Sequence, residues 1–141
     1  MRRIMLVVLS LTLVTGCQSH PEPVPVPPVL KADRPENFAV LVNNARLVAM
    51  AATEAFYVDN WSGLEENAKR LEAIVAQMPL APDLTEPQRK DLVAPTQALI
   101  LDARALAQSA RDRNARQVNG LLQRLHSGVR LLRLDRPSMG N

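Results

Sequence analysis

Residues 114–132 have the sequence NARQVNGLLQRLHSGVRLL, and this stretch decides the fold class. Its apolar residues recur at intervals of three and four, the period of an α-helix that is buried along one face. Asn114 or Asp112 is expected to cap its start, and we expect the helix to end near Asp135, before Pro137. The predicted buried residues are Val118, Leu121, Leu122, Leu125, Val129 and Leu132.

Three upstream segments show the same helical period. The first follows a predicted cap at Asp33–Glu36, the second a capping box at Trp61–Glu65, and the third a capping box at Thr85–Gln88. Pro79 should end the second helix, and Pro95 should kink the third or split off its first two turns. The predicted buried residues are, helix by helix, Phe38, Leu41, Val42, Ala45, Val48, Ala49, Ala52 and Phe56; Leu64, Ala68, Leu71, Ile74, Val75 and Met78; Leu92, Leu99, Ala103, Leu106 and Ala110.

Four antiparallel helices with short connections predict an all-α fold, an up-and-down four-helix bundle over residues 33–136. Aromatic residues make up only 3% of the chain, so the core must be mainly aliphatic, which favours helices packed on helices over a sheet. Residues 137–141 are expected to form a loose tail.

Charge is divided unevenly along the chain. Residues 36–66 contain five acids and one Arg, whereas residues 100–136 contain eight Arg and three Asp. We expect acidic and basic helices to pack as neighbours, with Glu65–Lys69 and Glu66–Arg70 pairs on the second helix. A basic face for an anionic lipid or nucleic acid is the alternative, but without interleaved aromatics or a recognition motif we predict no nucleic-acid partner.

The amino terminus has the organisation of a secretory leader. A basic Met1–Arg3 precedes an apolar run at residues 4–14, which as a helix would cover roughly 16 Å, about half of a bilayer. The run ends in Val14-Thr15-Gly16-Cys17, which resembles the bacterial lipobox. The resemblance implies that residues 1–16 are a cleaved signal peptide and that the thiol of Cys17 takes a diacylglyceryl group.

The same resemblance places the protein in the bacterial envelope, with the lipid bilayer as a partner through acylated Cys17. It also implies a further acyl chain on the new amino terminus, and two or more chains anchor stably where one does not. Gln18 is not the Asp that favours retention in the inner membrane, so we expect the outer membrane, facing the periplasm. Cys17 is the chain's one cysteine, which excludes an internal disulfide.

Residues 17–32 contain the lipidated Cys17 and a proline-rich tether. Closely spaced prolines prevent a helix or a central strand and favour polyproline II, at about 3.1 Å per residue. The tether is therefore a semi-rigid spacer of roughly 40 Å that holds the bundle away from the lipid surface. Its prolines are Pro21, Pro23, Pro25, Pro27 and Pro28.

The helical domain resembles the cytochrome c′ family of four-helix bundles. The likeness rests on helix lengths, on Trp61 at the start of the second helix, on the acid-poor loop before the third and on the close of the fourth. Members of that family end the last helix with Cys-x-x-Cys-His, in which the thiols bond haem and the His ligates iron. Two registers are open: residues 122–130 keep His126 and Arg130, and residues 125–133 keep Arg133. Neither has a thiol, so covalent haem is excluded and the resemblance implies a haem-free relative.

Noncovalent haem would need a His on helix four and a second ligand, typically Met, near the start of helix one. His126 lies at the edge of the apolar stripe, Met50 is on the outer half of helix one, and Asn43 and Asn44 stand at the expected ligand position. Since amides are poor iron ligands, we interpret His126 as a boundary residue that donates a hydrogen bond to a neighbouring helix. We predict no cofactor-binding or metal site.

Two features of the helices point towards binding. Gly120 and Gly128 weaken helix four by about 1 kcal/mol each, which suggests a close neighbouring helix or, as the alternative, a small apolar ligand. Helix one also has a second, outward apolar set, for which we prefer a homodimer seam over contact with the tether or the membrane. Bundles of the resembled family commonly dimerise through their first two helices, an analogy that favours the seam. The outward set is Val40, Leu47, Met50 and Ala51.

Patterns typical of an enzyme are missing from the sequence, which has no phosphate-binding glycine loop, no nucleophile elbow and no His-x-x-x-His. We therefore predict no catalytic residues and no enzymatic activity. The sequence predicts an envelope lipoprotein whose haem-free bundle binds an unknown protein partner, itself or a small apolar ligand. The alternatives are a noncovalent haem or electron-transfer bundle and a structural envelope spacer.

Overall fold

A computed structural model describes residues 35–132 of the 141-residue chain; the leader, Cys17, the tether and the predicted tail lie outside this range. Each helix packs against the next, and the fourth returns to the first, so the described residues form the predicted all-α four-helix bundle. In this part of the chain, no helix has both the length and the hydropathy needed to cross a bilayer. The elements are α1 (Phe38–Tyr57), α2 (Trp61–Gln77), a 3₁₀ turn (Met78–Leu80), α3 (Glu86–Arg111) and α4 (Ala115–Leu131).

The core is aliphatic and follows the predicted stripes closely. Every residue predicted to be buried on α2, α3 and α4 is buried, and Met78 joins the core from the 3₁₀ turn. On α1 the one difference is at the last turn, where Ala55 is buried and Phe56 is only half-buried against the core. The described core runs from Phe38 to Leu132 and includes residues of all four helices, the 3₁₀ turn and the loop before α3.

The start of α1 differs from the prediction. We expected a cap within Asp33–Glu36, but Pro35 and Glu36 are not helical and α1 begins at Phe38. Asn37 occupies the cap position without a side-chain hydrogen bond. Instead, the backbone N–H of Phe38 donates to Oδ1 of Asp83, 2.8 Å away in the loop before α3. A distant side chain therefore caps the helix.

The second helix starts at Trp61 as predicted, but its cap differs from the prediction. Asn60, and not a residue of the Trp61–Glu65 box, caps the helix by accepting from the N–H of Gly63 at 2.9 Å. Before it, Asp59 has a left-handed backbone (φ 55°), and the N–H of Asn60 donates to the carbonyl of Ala55 at 2.8 Å. This bond closes the end of α1 in a Schellman motif. The turn thus ends one helix and starts the next within three residues.

The turn between α3 and α4 has the same construction, 54 residues later. Arg113 is left-handed (φ 50°), and the N–H of Asn114 donates to the carbonyl of Ser109 at 2.9 Å. Oδ1 of Asn114 accepts from the N–H of Gln117 at 3.2 Å, so Asn114 is the predicted cap and Asp112 belongs to the end of α3. With this spacing most buried positions of α1–α2 coincide with buried positions of α3–α4. The bundle is therefore two similar helical hairpins.

The third capping box is confirmed, and the predicted split of α3 is wrong. The side chain of Gln88 accepts from the N–H of Thr85 at 2.9 Å, as in a capping box. The helix then runs unbroken from Glu86 to Arg111 through Pro95, whose ring is on the exposed face. At the other end of the bundle, α4 stops at Leu131, short of the predicted Asp135.

The two glycines of α4 have different surroundings. A Cβ at Gly128 would lie 2.6 Å from Cδ2 of Leu99, so here the predicted close neighbouring helix is α3. A Cβ at Gly120 would meet no atom within 4 Å among the described residues. Only Gly128 is therefore explained by helix packing.

Candidate functional site

The least extensive helix–helix contact in the bundle is between α1 and α4, and it holds a groove of about 510 Å³. We call it the α1–α4 groove. It lies between the last turns of α1 and the middle of α4, and it is open to solvent. Its lining residues are Thr53, Phe56, Tyr57, Asn119, Leu122, Gln123, His126 and Ser127.

The floor of the groove is apolar. Leu122 is buried in the core, and Phe56 is half-buried beside it. The ring of Phe56 also meets Trp61 edge-on, with centroids 5.9 Å apart, and Tyr57 at 5.8 Å. Edge-to-face pairs of this kind fix aromatic rings in place. The groove thus offers a rigid apolar surface that water reaches.

One hydrogen bond crosses the groove and joins its two helices. Oγ1 of Thr53 lies 3.0 Å from the carbonyl of Ala49, to which it donates, and 2.8 Å from Nε2 of His126. The predicted hydrogen bond between His126 and a neighbouring helix is present, and that helix is α1.

The two hairpins meet a second time, at the equivalent contact between α2 and α3, and ion pairs close this α2–α3 seam. Nε of Arg111 lies 2.8 Å from Oε1 of Glu65, and Nε of Arg104 lies 2.7 Å from Oε1 of Glu72. Hydrogen bonds from Lys69 and then from Arg111 hold the pKa of Glu65 below its usual value. Among the described residues, Glu65–Arg111 is the one ion pair that joins the acidic residues 36–66 to the basic residues 100–136 as expected. Arg124–Asp102, between α4 and α3 at 3.0 Å, lies within the basic stretch.

Uncharged residues occupy the corresponding positions of the groove. Across the 54-residue spacing, Asn119 replaces Glu65 and Tyr57 replaces Arg111, so the ion pair is lost. The predicted Glu65–Lys69 pair, at 2.6 Å, and the Glu66–Arg70 pair are both present on α2. Within the described residues, ion pairs therefore close one of two equivalent seams and not the other.

Side-chain volume also differs between the two seams. Ala68 and Ala110 are completely or almost completely buried on the α2–α3 side, where the helices have their most extensive contact. Leu122 and Phe56 occupy the equivalent positions beside the groove. Small residues allow helices to approach closely, and larger ones hold them apart. The larger side chains of Leu122 and Phe56 therefore hold α1 and α4 apart and leave the groove between them.

The residues weighed as haem ligands lie on different faces of the bundle. His126 is exposed on the groove, whereas Met50 is 61% exposed on the outer side of α1 and does not line the groove. Leu122 and Leu125, which stand where the first register would place thiols, are both buried in the core. Asn44 donates to Glu36 at 3.1 Å. Within residues 35–132, histidine and acidic side chains do not gather in threes as a metal site requires.

Most of the groove was missed by sequence analysis, which singled out only His126. The periodicity that locates buried residues gives no weight to exposed neutral ones such as Tyr57 and Gln123. A comparison of the two halves at the 54-residue spacing would have shown charged pairs on one side and neutral residues on the other. The predicted lipid site at Cys17 lies outside the described residues.

Comparison with models of protein families, with curated proteins and with solved structures found no match. The resemblances to lipoprotein leaders and to cytochrome c′ bundles therefore stay predictions.

Proposed function

We propose that this protein is a lipid-anchored binding protein of the bacterial envelope and that the α1–α4 groove is its ligand site. The observation that carries the proposal is the contrast between the two equivalent seams, one closed by ion pairs and one left open with an apolar floor. The likeness of residues 14–17 to a lipobox supports the anchor, with the outer membrane and the periplasmic side as the expected location.

The lining of the groove favours a small ligand that is mainly apolar and uncharged. Among the described residues, the lining of the groove has no Asp, Glu, Lys or Arg that would attract a charged group. Phe56 and Leu122 provide apolar contact, while Asn119, Gln123 and Ser127 offer neutral hydrogen-bonding groups along one side. Sites for small ligands commonly combine an apolar surface with a few polar groups. A volume of about 510 Å³ is within the usual range for such ligands.

The groove has a built-in optical reporter for a binding experiment. Trp61 is the one tryptophan of the chain, and its ring contacts Phe56 on the groove floor. We expect the neutral apolar dye N-phenyl-1-naphthylamine to bind saturably to the chain from residue 18 onward, with one site per molecule. Binding should change the emission of Trp61 over the same range of dye concentration.

A pair of substitutions distinguishes binding in the groove from nonspecific binding of the dye to the protein surface. Ser127→Phe fills the groove and should weaken dye binding at least about tenfold, a loss of about 1.4 kcal/mol. Ala73→Phe adds the same ring at the equivalent, exposed position of α2 beside the closed seam and should leave dye binding unchanged. Equal binding by the two variants, or no saturable binding by the unsubstituted chain, would contradict the proposal.

A further inference from the structure

A row of exposed apolar side chains crosses the outer surface of α1 and ends in the wall of the α1–α4 groove. The exposed fractions are 46% for Val40, 43% for Leu47, 61% for Met50 and 76% for Tyr57, which lines the groove. At about 100° per residue, the row turns by about 100° around the helix from its first member to its last. It therefore runs obliquely over α1, and we call it the oblique row.

The oblique row is suited to an extended chain. Exposed apolar residues in a continuous row mark interaction sites more often than scattered ones do. A helix packed along α1 would need a row that stays on one side over the whole length of α1. A thin extended segment can instead follow an oblique path over the helix, and this path leads it into the groove.

The chain enters α1 at the beginning of the oblique row. Nδ2 of Asn44 donates to Oε2 of Glu36 at 3.1 Å, although Asn44 lies almost two turns into the helix. This bond draws the chain before Phe38 towards the side of α1. Val40 is one turn before Asn44 on the same side of the helix, so the entering chain and the first residue of the row are neighbours.

The chain ahead of α1 is long enough to reach the other end of the row. As polyproline II, the ten residues 26–35 would cover about 31 Å. The 20 residues of α1 cover about 30 Å. Prolines and valines near residue 26 would therefore arrive beside Tyr57, at the groove.

The composition of this part of the chain fits the groove. Residues 24–30, which we call the proline segment, read VPVPPVL and contain no charged or hydrogen-bonding side chain. Polyproline II leaves its backbone carbonyls without partners, and the exposed amides of Asn119 and Gln123 can donate to them. Aromatic rings such as those of Phe56 and Tyr57 are the usual surfaces on which proline-rich chains dock.

We propose that the proline segment folds back over the oblique row and occupies the α1–α4 groove of its own chain. In one respect this rests on the proposed function, because a ligand of the groove can bind only after it displaces the segment. Occupancy by the segment lowers the apparent affinity for the ligand, since only molecules with an open groove can bind. Displacement returns residues 17–32 to the extended spacer expected from their sequence.

Substitutions in the proline segment test the competition. In the chain from residue 18 onward, Val26→Asp would bring a charge into a groove whose described lining has none, so it should release the segment. N-phenyl-1-naphthylamine should then bind at least about threefold more tightly than to the unsubstituted chain. Ser19→Asp adds the same charge ahead of the segment and should leave the affinity unchanged.

Cross-linking tests the position of the proline segment without a ligand. The chain from residue 18 onward has no native cysteine. Val26→Cys combined with Val58→Cys, next to the groove, should form a disulfide within one chain under mild oxidation. Val26→Cys combined with Asp112→Cys, the equivalent position of the second hairpin, should react at least about tenfold more slowly, because a disulfide requires Cα atoms less than about 7 Å apart. Saturating dye should slow only the first reaction.

The two measurements distinguish the docked segment from the ligand site. Equal dye affinity in the three chains, or equal rates of cross-linking, would overturn the docked segment, while saturable binding of dye would still support the ligand site. If no chain binds dye, the ligand site fails, and the cross-linking rates still decide where the segment lies. A disulfide-linked dimer as the main product would place the segment on a second copy and would also overturn the proposal.

Discussion

Asp59 and Arg113 have left-handed backbones at the ends of α1 and α3, where glycine is the usual residue. A side chain in this conformation costs roughly 1–2 kcal/mol, because its Cβ approaches the following carbonyl. Without a glycine to mark them, the turns gave no strong sequence signal. Asn114 was predicted as a cap, whereas Asn60, whose side chain makes the equivalent bond, was not.

Removing the Cβ at one of these positions should stabilise the protein. We expect Arg113→Gly to raise the free energy of unfolding by about 0.5 to 1 kcal/mol, since the gain at the turn exceeds the added freedom of the unfolded chain. Urea denaturation followed by circular dichroism measures this. Arg46→Gly is the control: the same change in the middle of α1 should cost about 1 kcal/mol. Destabilisation by Arg113→Gly would mean that the left-handed turn carries no strain.

At the level of whole helices, the sequence predicted interiors well and ends poorly. Buried stripes depend on a local period, which the sequence displays directly. The start of α1 depends on Asp83, which is 45 residues away and gives no signal near Phe38. Pro95 does not split α3, which continues through it from Glu86 to Arg111. Contacts between elements, and not propensity alone, set the helix boundaries.

The bond from Phe38 to Asp83 can be tested by removing its acceptor. Asp83→Ala should lower the free energy of unfolding by about 1 kcal/mol, the usual cost of losing a helix cap. Asp83→Asn keeps a side-chain oxygen at the same place and should retain most of the stability. Hydrogen exchange at the first turn of α1 should become faster in Asp83→Ala only. Equal exchange in both variants would show that Asp83 does not hold this turn.

For the molecule as a whole, composition and periodicity were enough to predict the bundle but not its open side. The α1–α4 groove becomes apparent only when side chains of α1 and α4 are compared in size with those at the equivalent positions of α3 and α2, 54 residues away. Phe56 and Leu122 look like ordinary core residues when each helix is considered alone. Their effect becomes visible only beside Ala110 and Ala68, which let the opposite seam close.

The proposed anchor predicts where the full chain is found. Expressed with its leader in a bacterium with two membranes, it should fractionate with the outer membrane and take up radiolabelled palmitate, because Cys17 is acylated. Cys17→Ser should abolish the label. Gln18→Asp, which keeps the cysteine, should retain the label and move the protein to the inner membrane. Palmitate labelling of Cys17→Ser would contradict the assignment of the lipid to this residue.

Because the bundle has four antiparallel helices, the chain enters and leaves it at the same end, here called a pole. Phe38 and Leu131 share that pole, whereas the turns at Asp59 and Arg113 occupy the opposite one. The α1–α4 groove, lined by the last turns of α1, lies in the half nearer those turns. With the proposed anchor ahead of Phe38 and the tether extended, the α1–α4 groove lies in the half of the bundle farther from the membrane. A ligand would then reach the groove from the aqueous side without passing the lipid headgroups.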